Sequence, residues 1–562
     1  MFKRIFSIVM ILGVLVLAFG SASPGRAQEG DPPGQESITI ARVEDVYPGP
    51  AGSLPYHMTA YNGALYFQAD GNDGAGRELW KYTPASGTQR VEDINSAGNS
   101  SPSFLTVYEN ALYFSATGDD GAGLELWKYD PVNGAQRAAD IVSGSGSSSP
   151  FFLTIYNGAL YFSADGNDGA GRELWKYDTV NGATRVADIY SGSVGSFPSE
   201  LAVYNGELYF QANGNDGAGL ELWKYDAANG AQRVEDIYGG LNGSQPKALA
   251  VYKNALYFFA DGNDGAGREV WKYDPAIGTQ RVADICAGSE GSSTLSDSMT
   301  VYHGALYFNA NGNDGYGQEL WKYDPVNGVQ RVADIYSGSG DSQPYYLTVY
   351  NDALYFSANG NDGKGYELWM YSNTSADAFR SAKAHDGWAL ESGENTNAGG
   401  TLNSSAATFF VGDNAQDKQY RSVLSFDTSS IPDNAVIISV RLKIRRQGLT
   451  GTDPFTTHGA LVVDIRSGAF GNNNSLQAGD FQAAASKNAI GTIPNSPVNN
   501  WYSKTWTSGI FAYINKSGVT QFRLRFQTDD NNDNAADYLK FFSGDTATLA
   551  ARPQLEIKYY VP

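Results

Sequence analysis

Residues 152–196 read FLTIYNGALYFSADGNDGAGRELWKYDTVNGATRVADIYSGSVGS. Four short apolar runs lie in this stretch, separated by turns that carry Asn and Gly. The first run, 153–156, is followed by Asn157-Gly158. That pair suits a type I′ hairpin, whose two central residues both need positive φ. The second run is 159–164. A loop from Asp165 to Gly171 leads to the third, 173–177, and Asn181-Gly182 turns the chain into the fourth, 185–189. Four antiparallel strands in about 40–50 residues are the signature of one propeller blade.

The unit recurs. Its Glu-Leu/Val-Trp motif places Trp at 80, 127, 175, 223, 271, 321 and 369. A single meander of this size cannot cover its own faces, whereas copies stacked round an axis cover one another. The fourth-strand signal first occurs at 42–46, ahead of any complete unit, and the last unit stops at Tyr371 without a fourth strand. An N-terminal strand that completes the last sheet hides two edges. An open β-solenoid, the competing arrangement, gains nothing from that offset. The predicted architecture is all-β: a seven-bladed β-propeller over 38–372, with the N-terminal strand closing the last blade.

The first 27 residues read as a secretory signal: Lys3 and Arg4, an apolar run over 5–19, then small residues. A single N-terminal membrane anchor is the alternative, against which the run is short. Residues 28–37 are a linker. No later segment is long and apolar enough to span a membrane as a helix, so no membrane insertion is expected after signal cleavage. The single cysteine, Cys286, has no internal partner for a disulfide. It stands where sister units have Tyr190, Tyr238 and Tyr336, and reads as a small buried apolar residue. The net charge is −21, and it is unevenly placed: 28–372 hold 19 basic and 43 acidic residues, while 373–562 hold 17 of each. Such a surface repels nucleic acid.

After Tyr371 the pattern changes. Residues 373–377 read as a short polar linker. Apolar and polar residues then alternate over 436–444, 460–465, 521–526 and 554–559, as in a sheet with one buried face. The stretch 378–562 is predicted to be a jelly-roll β-sandwich, with one helical turn at 481–485.

On the stretch from Arg172 to Asp178, the preceding FSADGNDG and the following VADI, the repeats resemble the ELWxxDGT repeat family of secreted bacterial proteins. The resemblance covers 38–372 and implies secretion and architecture, not an activity. Where the family has Asp-Gly-Thr after ELW, this chain has Asp-Pro-Val-Asn-Gly or similar. Residues 378–562 resemble DNRLRE-type modules, related to carbohydrate-binding module family 96, on YRSVLSFD at 420–427, SIPDNAV at 430–436, FSGD at 542–545 and RPQL at 552–555. This second resemblance implies a jelly roll with a polysaccharide or cell-surface partner.

Three features carry candidate chemistry. The loop Asp-Gly-Asn-Asp-Gly, with Asp73, Asp120, Asp168, Asp216, Asp264, Asp314 and Asp362, is rich in oxygen ligands but one residue short of EF-hand spacing. It reads first as a turn. The seven motif Trp residues read as packing between sheets before sugar stacking. In the C-terminal stretch, Asp529, Asp530, Asp533 and Asp537 are the calcium candidates, set against a solvated loop. Trp388, Trp501, Tyr502 and Trp506 are the glycan-stacking candidates, set against core packing. No cofactor is required; calcium is the one ion the sequence points to.

Only four His occur, and there is no HExxH, GxSxG, P-loop or GxGxxG opening a helix. The expected role is therefore a secreted, extracellular, non-catalytic binding or adhesion protein. Its sandwich recognises a polysaccharide or cell-surface glycan, with the propeller as scaffold or second face. The alternatives are a structural surface protein that meets other surface proteins through the propeller and, behind it, a glycan-degrading enzyme.

Overall fold

The computed structural model describes residues 37–292 and 299–561, so the signal segment and nearly all of the linker 28–37 lie outside the described residues. The chain divides into two compact units. One comprises 36–375 with 434–436 and 560–562, the other 376–433 and 437–559.

The first unit is a β-propeller with six separate four-stranded sheets. In the one quoted above, Phe151–Tyr156, Ala159–Asp165, Arg172–Asp178 and Gly182–Ala187 pair antiparallel in chain order. Asn157 and Gly158 both have positive φ, 47° and 78°, as the hairpin requires. The second Asn-Gly pair behaves differently. Only Gly182 is left-handed, and Asp178 accepts from the Val180 and Asn181 amides to shape the loop. The outermost strand therefore starts earlier than its apolar pattern, at Gly182. The second strand is buried along its length from Ala159 to Ala164 because a neighbouring sheet covers each face.

The core lies between sheets. Tyr156, Tyr161 and Leu174 of one unit meet Leu208, Phe210 and Trp223 of the next. A tyrosine hydroxyl at the end of each innermost strand also reaches forward. Tyr61, Tyr108, Tyr156, Tyr204, Tyr252 and Tyr302 each donate to a hairpin carbonyl of the following unit. Tyr350 of the last unit donates to Gly63 of the first, at 2.8 Å. In that last unit Tyr345–Tyr350, Ala353–Asn359 and Tyr366–Arg380 pair in order, and Ser37–Glu44 pairs antiparallel with the third of them. Ile40 lies opposite Tyr371 and Arg42 opposite Trp369. Residues 373–377, expected as a linker, lie inside the strand Tyr366–Arg380; Thr374 and Asn373 find backbone partners in Ser37 and Ile38.

The second unit is also built of antiparallel strands. Gln419–Asp427 lies between Gly387–Glu391 and Val519–Phe526, and Val519–Phe526 continues to Leu461–Ser467 and Lys487–Ile493. Tyr538–Phe542 joins Thr408–Asp413 to Val436–Thr450, which also carries Trp501–Trp506. Val440, Leu442, Ile444, Leu555 and Ile557 point inward at alternate positions and are fully buried. The helical turn is a 3-10 turn at Ala478–Phe481, ahead of the predicted 481–485. Its start is fixed by Gln477 and Asp480, which cap each other.

Candidate functional site

The repeated side chains of the propeller serve its framework. Glu173 is fully buried. Its carboxylate accepts from the amides of Ile189, Tyr190 and Ser196 at 3.0, 3.1 and 2.8 Å, and from Ser196 Oγ at 2.5 Å. Burial raises its pKa against those four bonds. The same acid fastens the link to the next unit elsewhere, and Glu367 does so across the ends of the chain. It accepts from the amides of Val46, Tyr47 and Ser53 and from Ser53 Oγ, at 2.7–3.2 Å. The motif Trp lies under the loop that precedes it. A Cβ added at Gly166 would stand 2.3 Å from the Trp175 ring, and the equivalent glycines meet their own Trp in the same way. Trp80, Trp127, Trp175 and Trp223 are buried, and Trp271, Trp321 and Trp369 partly buried, each against its own loop. The loop Asp is also engaged: Asp168 takes Arg185 Nε at 2.9 Å, and Asp362 takes Arg42 at 2.9 Å. With Asn167 at φ 52° and Gly169 at 87°, the loop is a turn closed by an ion pair.

In the second unit the four aromatic candidates separate. Tyr502 and Trp506 are core residues. Tyr502 is 1% exposed and stacks on Phe455, and Trp506 Nε1 donates to the Ile490 carbonyl at 2.7 Å. Trp501 lies beneath the Lys443 ammonium, 5.3 Å from its ring. Trp388 keeps company the sequence reading did not name. Its ring stacks with Phe410 at 5.5 Å and meets Tyr420 edge-on at 5.2 Å; Phe410 and Tyr420 lie 5.0 and 5.4 Å from Tyr538. The four come from adjacent strands, at outward positions between buried neighbours such as Phe409, Val411, Leu539 and Phe541. All four are partly exposed. A contiguous aromatic face of this kind offers large, rigid apolar area to a flat ligand.

Two of the calcium candidates, Asp533 and Asp537, share one donor, Asn531 Nδ2, at 2.9 and 3.3 Å. Asp529 and Asp533 are exposed, Asp530 and Asp537 buried. Asp537 accepts from the Thr452 amide at 2.6 Å and from Asn531 Nδ2 at 3.3 Å. Asp533 accepts from the Ala535 amide and Asp530 from the Asn532 amide. Burial, and then the neighbouring Asp529 charge, raise the pKa of Asp530. Among the described residues no three His, Cys, Asp or Glu side chains are placed to hold one metal ion.

No family model matches the chain, and no curated protein matches it. Solved structures resemble it at low similarity. An oligogalacturonate lyase from Vibrio parahaemolyticus has a TM-score of 0.39 at 11% identity, over 61% of this chain and 98% of the other. An exo-β-1,3-galactanase from Phanerochaete chrysosporium has 0.28 at 10%, over 92% and 100%. A prolyl endopeptidase has 0.38 at 12%, over 67% of this chain and 54% of its own, about half its length. At these scores the likeness carries no inference about chemistry.

Two groups escaped the sequence reading. The motif Glu was read as part of a repeat signature, although its recurrence next to a Gly/Ser-rich link containing a fixed Ser was visible. Phe410 and Tyr538 could have been found as aromatics at the outward phase of alternating strands; what the sequence does not order is which strands lie side by side.

Proposed function

We propose that this is a secreted, extracellular, non-catalytic protein that binds a polysaccharide or cell-surface glycan through the face made by Trp388, Phe410, Tyr420 and Tyr538. In this reading the second unit is a jelly roll. The propeller closes at seven blades, with 37–44 as the outermost strand of the last. The observation that carries the reading is the aromatic face: four rings in mutual contact, half out of the core, on neighbouring strands. A non-catalytic role is supported by the repeated Glu and Asp, which make the same structural bonds from unit to unit.

The test is capture of the full chain on insoluble polysaccharides. Replacing both Trp388 and Tyr420 by Ala is expected to weaken capture by about 2 kcal/mol, some thirtyfold, with the melting temperature largely kept. Undiminished capture would move recognition to the propeller surface and favour the protein-contact alternative.

The carboxylates of 529–537 are tested for calcium separately from the aromatic face. An ion bound only by the native state raises the melting temperature, and a chelator removes that rise. With the loop's carboxylates already held by amides, EDTA is expected to leave the melting temperature unchanged. A fall of several degrees would locate a structural ion in 529–537.

A further inference from the structure

The units are near copies, but one position varies from aromatic to acidic to Ala. It is the second residue of the innermost strand, where the pairing slips by a bulge. The described residues there are His57, Phe104, Phe152, Glu200, Ala248 and Tyr346, all left-handed at φ 55–60°. None is Gly or Asn. A bulky residue in that conformation costs about 1–2 kcal/mol, so the propeller holds strain at a place where its units differ in residue type.

These six residues line a cavity of about 330 Å³, which every unit's innermost segment borders. One side is an arc of rings. Tyr346 lies 4.5 Å from His57, His57 4.6 Å from Phe104, and Phe104 4.6 Å from Phe152. Beyond the arc stands Glu200, whose side chain is 10% exposed. Its Oε2 accepts from the Ala248 amide at 3.0 Å, while Oε1 is buried without a hydrogen-bond partner. Lys247 Nζ, 3.8 Å from Oε1, forms an ion pair with it but is outside hydrogen-bond reach. Burial raises the pKa of Glu200, with Lys247 and the Ala248 amide opposing it. Burial also pushes His57 down to about 3, so the arc is uncharged at neutral pH.

Thr106, Thr154 and Thr348, which also line the cavity, give their hydroxyl protons to the carbonyls of Leu153, Leu201 and Met58, so these groups offer a ligand acceptors and no donors. A cation needs what is left over: aromatic faces and one unsatisfied carboxylate oxygen. The net negative charge of 28–372 favours cations over anions near the propeller as a whole. We propose that this cavity binds a small organic ammonium ion, its charge toward Glu200 Oε1 and its alkyl groups against the arc Tyr346–His57–Phe104–Phe152. This site belongs to the propeller and stands apart from the aromatic face of the second unit.

Titration calorimetry of the full chain with tetramethylammonium and with butylammonium, against uncharged 1-pentanol and glucose, tests it. Expected is saturable binding of at least one ammonium, at about 1 mM or tighter, at least tenfold stronger than for either neutral probe. Glu200→Gln is expected to weaken it tenfold or more, and Phe104→Leu severalfold. The comparison of probes on the unaltered protein stands even where a variant folds poorly. Absence of ammonium binding, equal binding of pentanol or glucose, or full affinity in a folded E200Q protein would overturn the proposal.

Discussion

Replacing Arg523 by Ala is expected to destabilise the second unit by about 3 kcal/mol, the lower end of the cost of removing one partner from a buried ion pair, since Arg525 still faces the carboxylate. Arg523 Nε and Nη2 donate to Asp464 Oδ2 at 3.1 and 2.9 Å, and Asp464 is fully buried. Nη1 holds the carbonyls of Asp480, Phe481 and Ala483, fastening the 3-10 turn to the sheet. The guanidinium also lies over Phe470 at 4.7 Å. The substitution therefore leaves the Asp480 and Ala483 carbonyls without this donor, and leaves the carboxylate with Arg525 Nε at 3.3 Å and the Ala489 amide at 2.8 Å only. Arg523→Lys should recover only part of the loss, because an ammonium cannot reproduce the planar fork. Burial by itself would raise the Asp464 pKa, but the Ala489 amide, Arg523 and Arg525 hold it below the ordinary value. The folded pKa is depressed, so its contribution is complete above the unfolded value of about 4 and fades as pH falls below it. The gap between wild type and variant should therefore be full at pH 7 and narrow in acid. Urea titrations at both pH values measure it; a deficit under 1 kcal/mol at pH 7 would show that Arg523 is peripheral.

Glu367→Ala is expected to cost about 3–5 kcal/mol, since it leaves three amides and a hydroxyl inside the protein unmet at about 1–3 kcal/mol each, not fully additive. Glu173→Ala breaks the same bonds and should cost a similar amount. The two differ in what comes loose. Glu173 ties neighbouring units that the chain already joins, whereas Glu367 ties residues 46–53 to a segment more than 300 positions away. Limited proteolysis should therefore release the N-terminal segment from E367A and leave E173A intact at that end. Equal resistance of both would mean that the Glu367 carboxylate does not secure the closure.

The fold was legible because its signals repeat. The Asn157-Gly158 turn, the Trp period and the displaced copy at 42–46 each pointed to the same meander. The segment 373–377 does hold the division between the two units, at 375/376, but it is strand and not loop, because polar residues in an extended strand resemble a loop when their partner, here Ser37 and Ile38, lies far away in sequence. The aromatic site was half legible. Trp388 was named, but Tyr502 and Trp506 turned out to be core, because an alternating strand does not disclose which face a second sheet will cover. The cavity residues were invisible for another reason. His57, Phe104, Glu200 and Tyr346 fall at a bulge, where the two-residue period breaks, and their convergence needs the ring.

Hydrogen exchange of the amides in 38–42 tests the closed wheel most directly. If these residues are the outermost strand of the last sheet, they should be protected to within about tenfold of the outermost strand Gly182–Ala187 in an internal sheet. Exchange of 38–42 at the rate of an unfolded chain, with 182–187 still protected, would contradict the account.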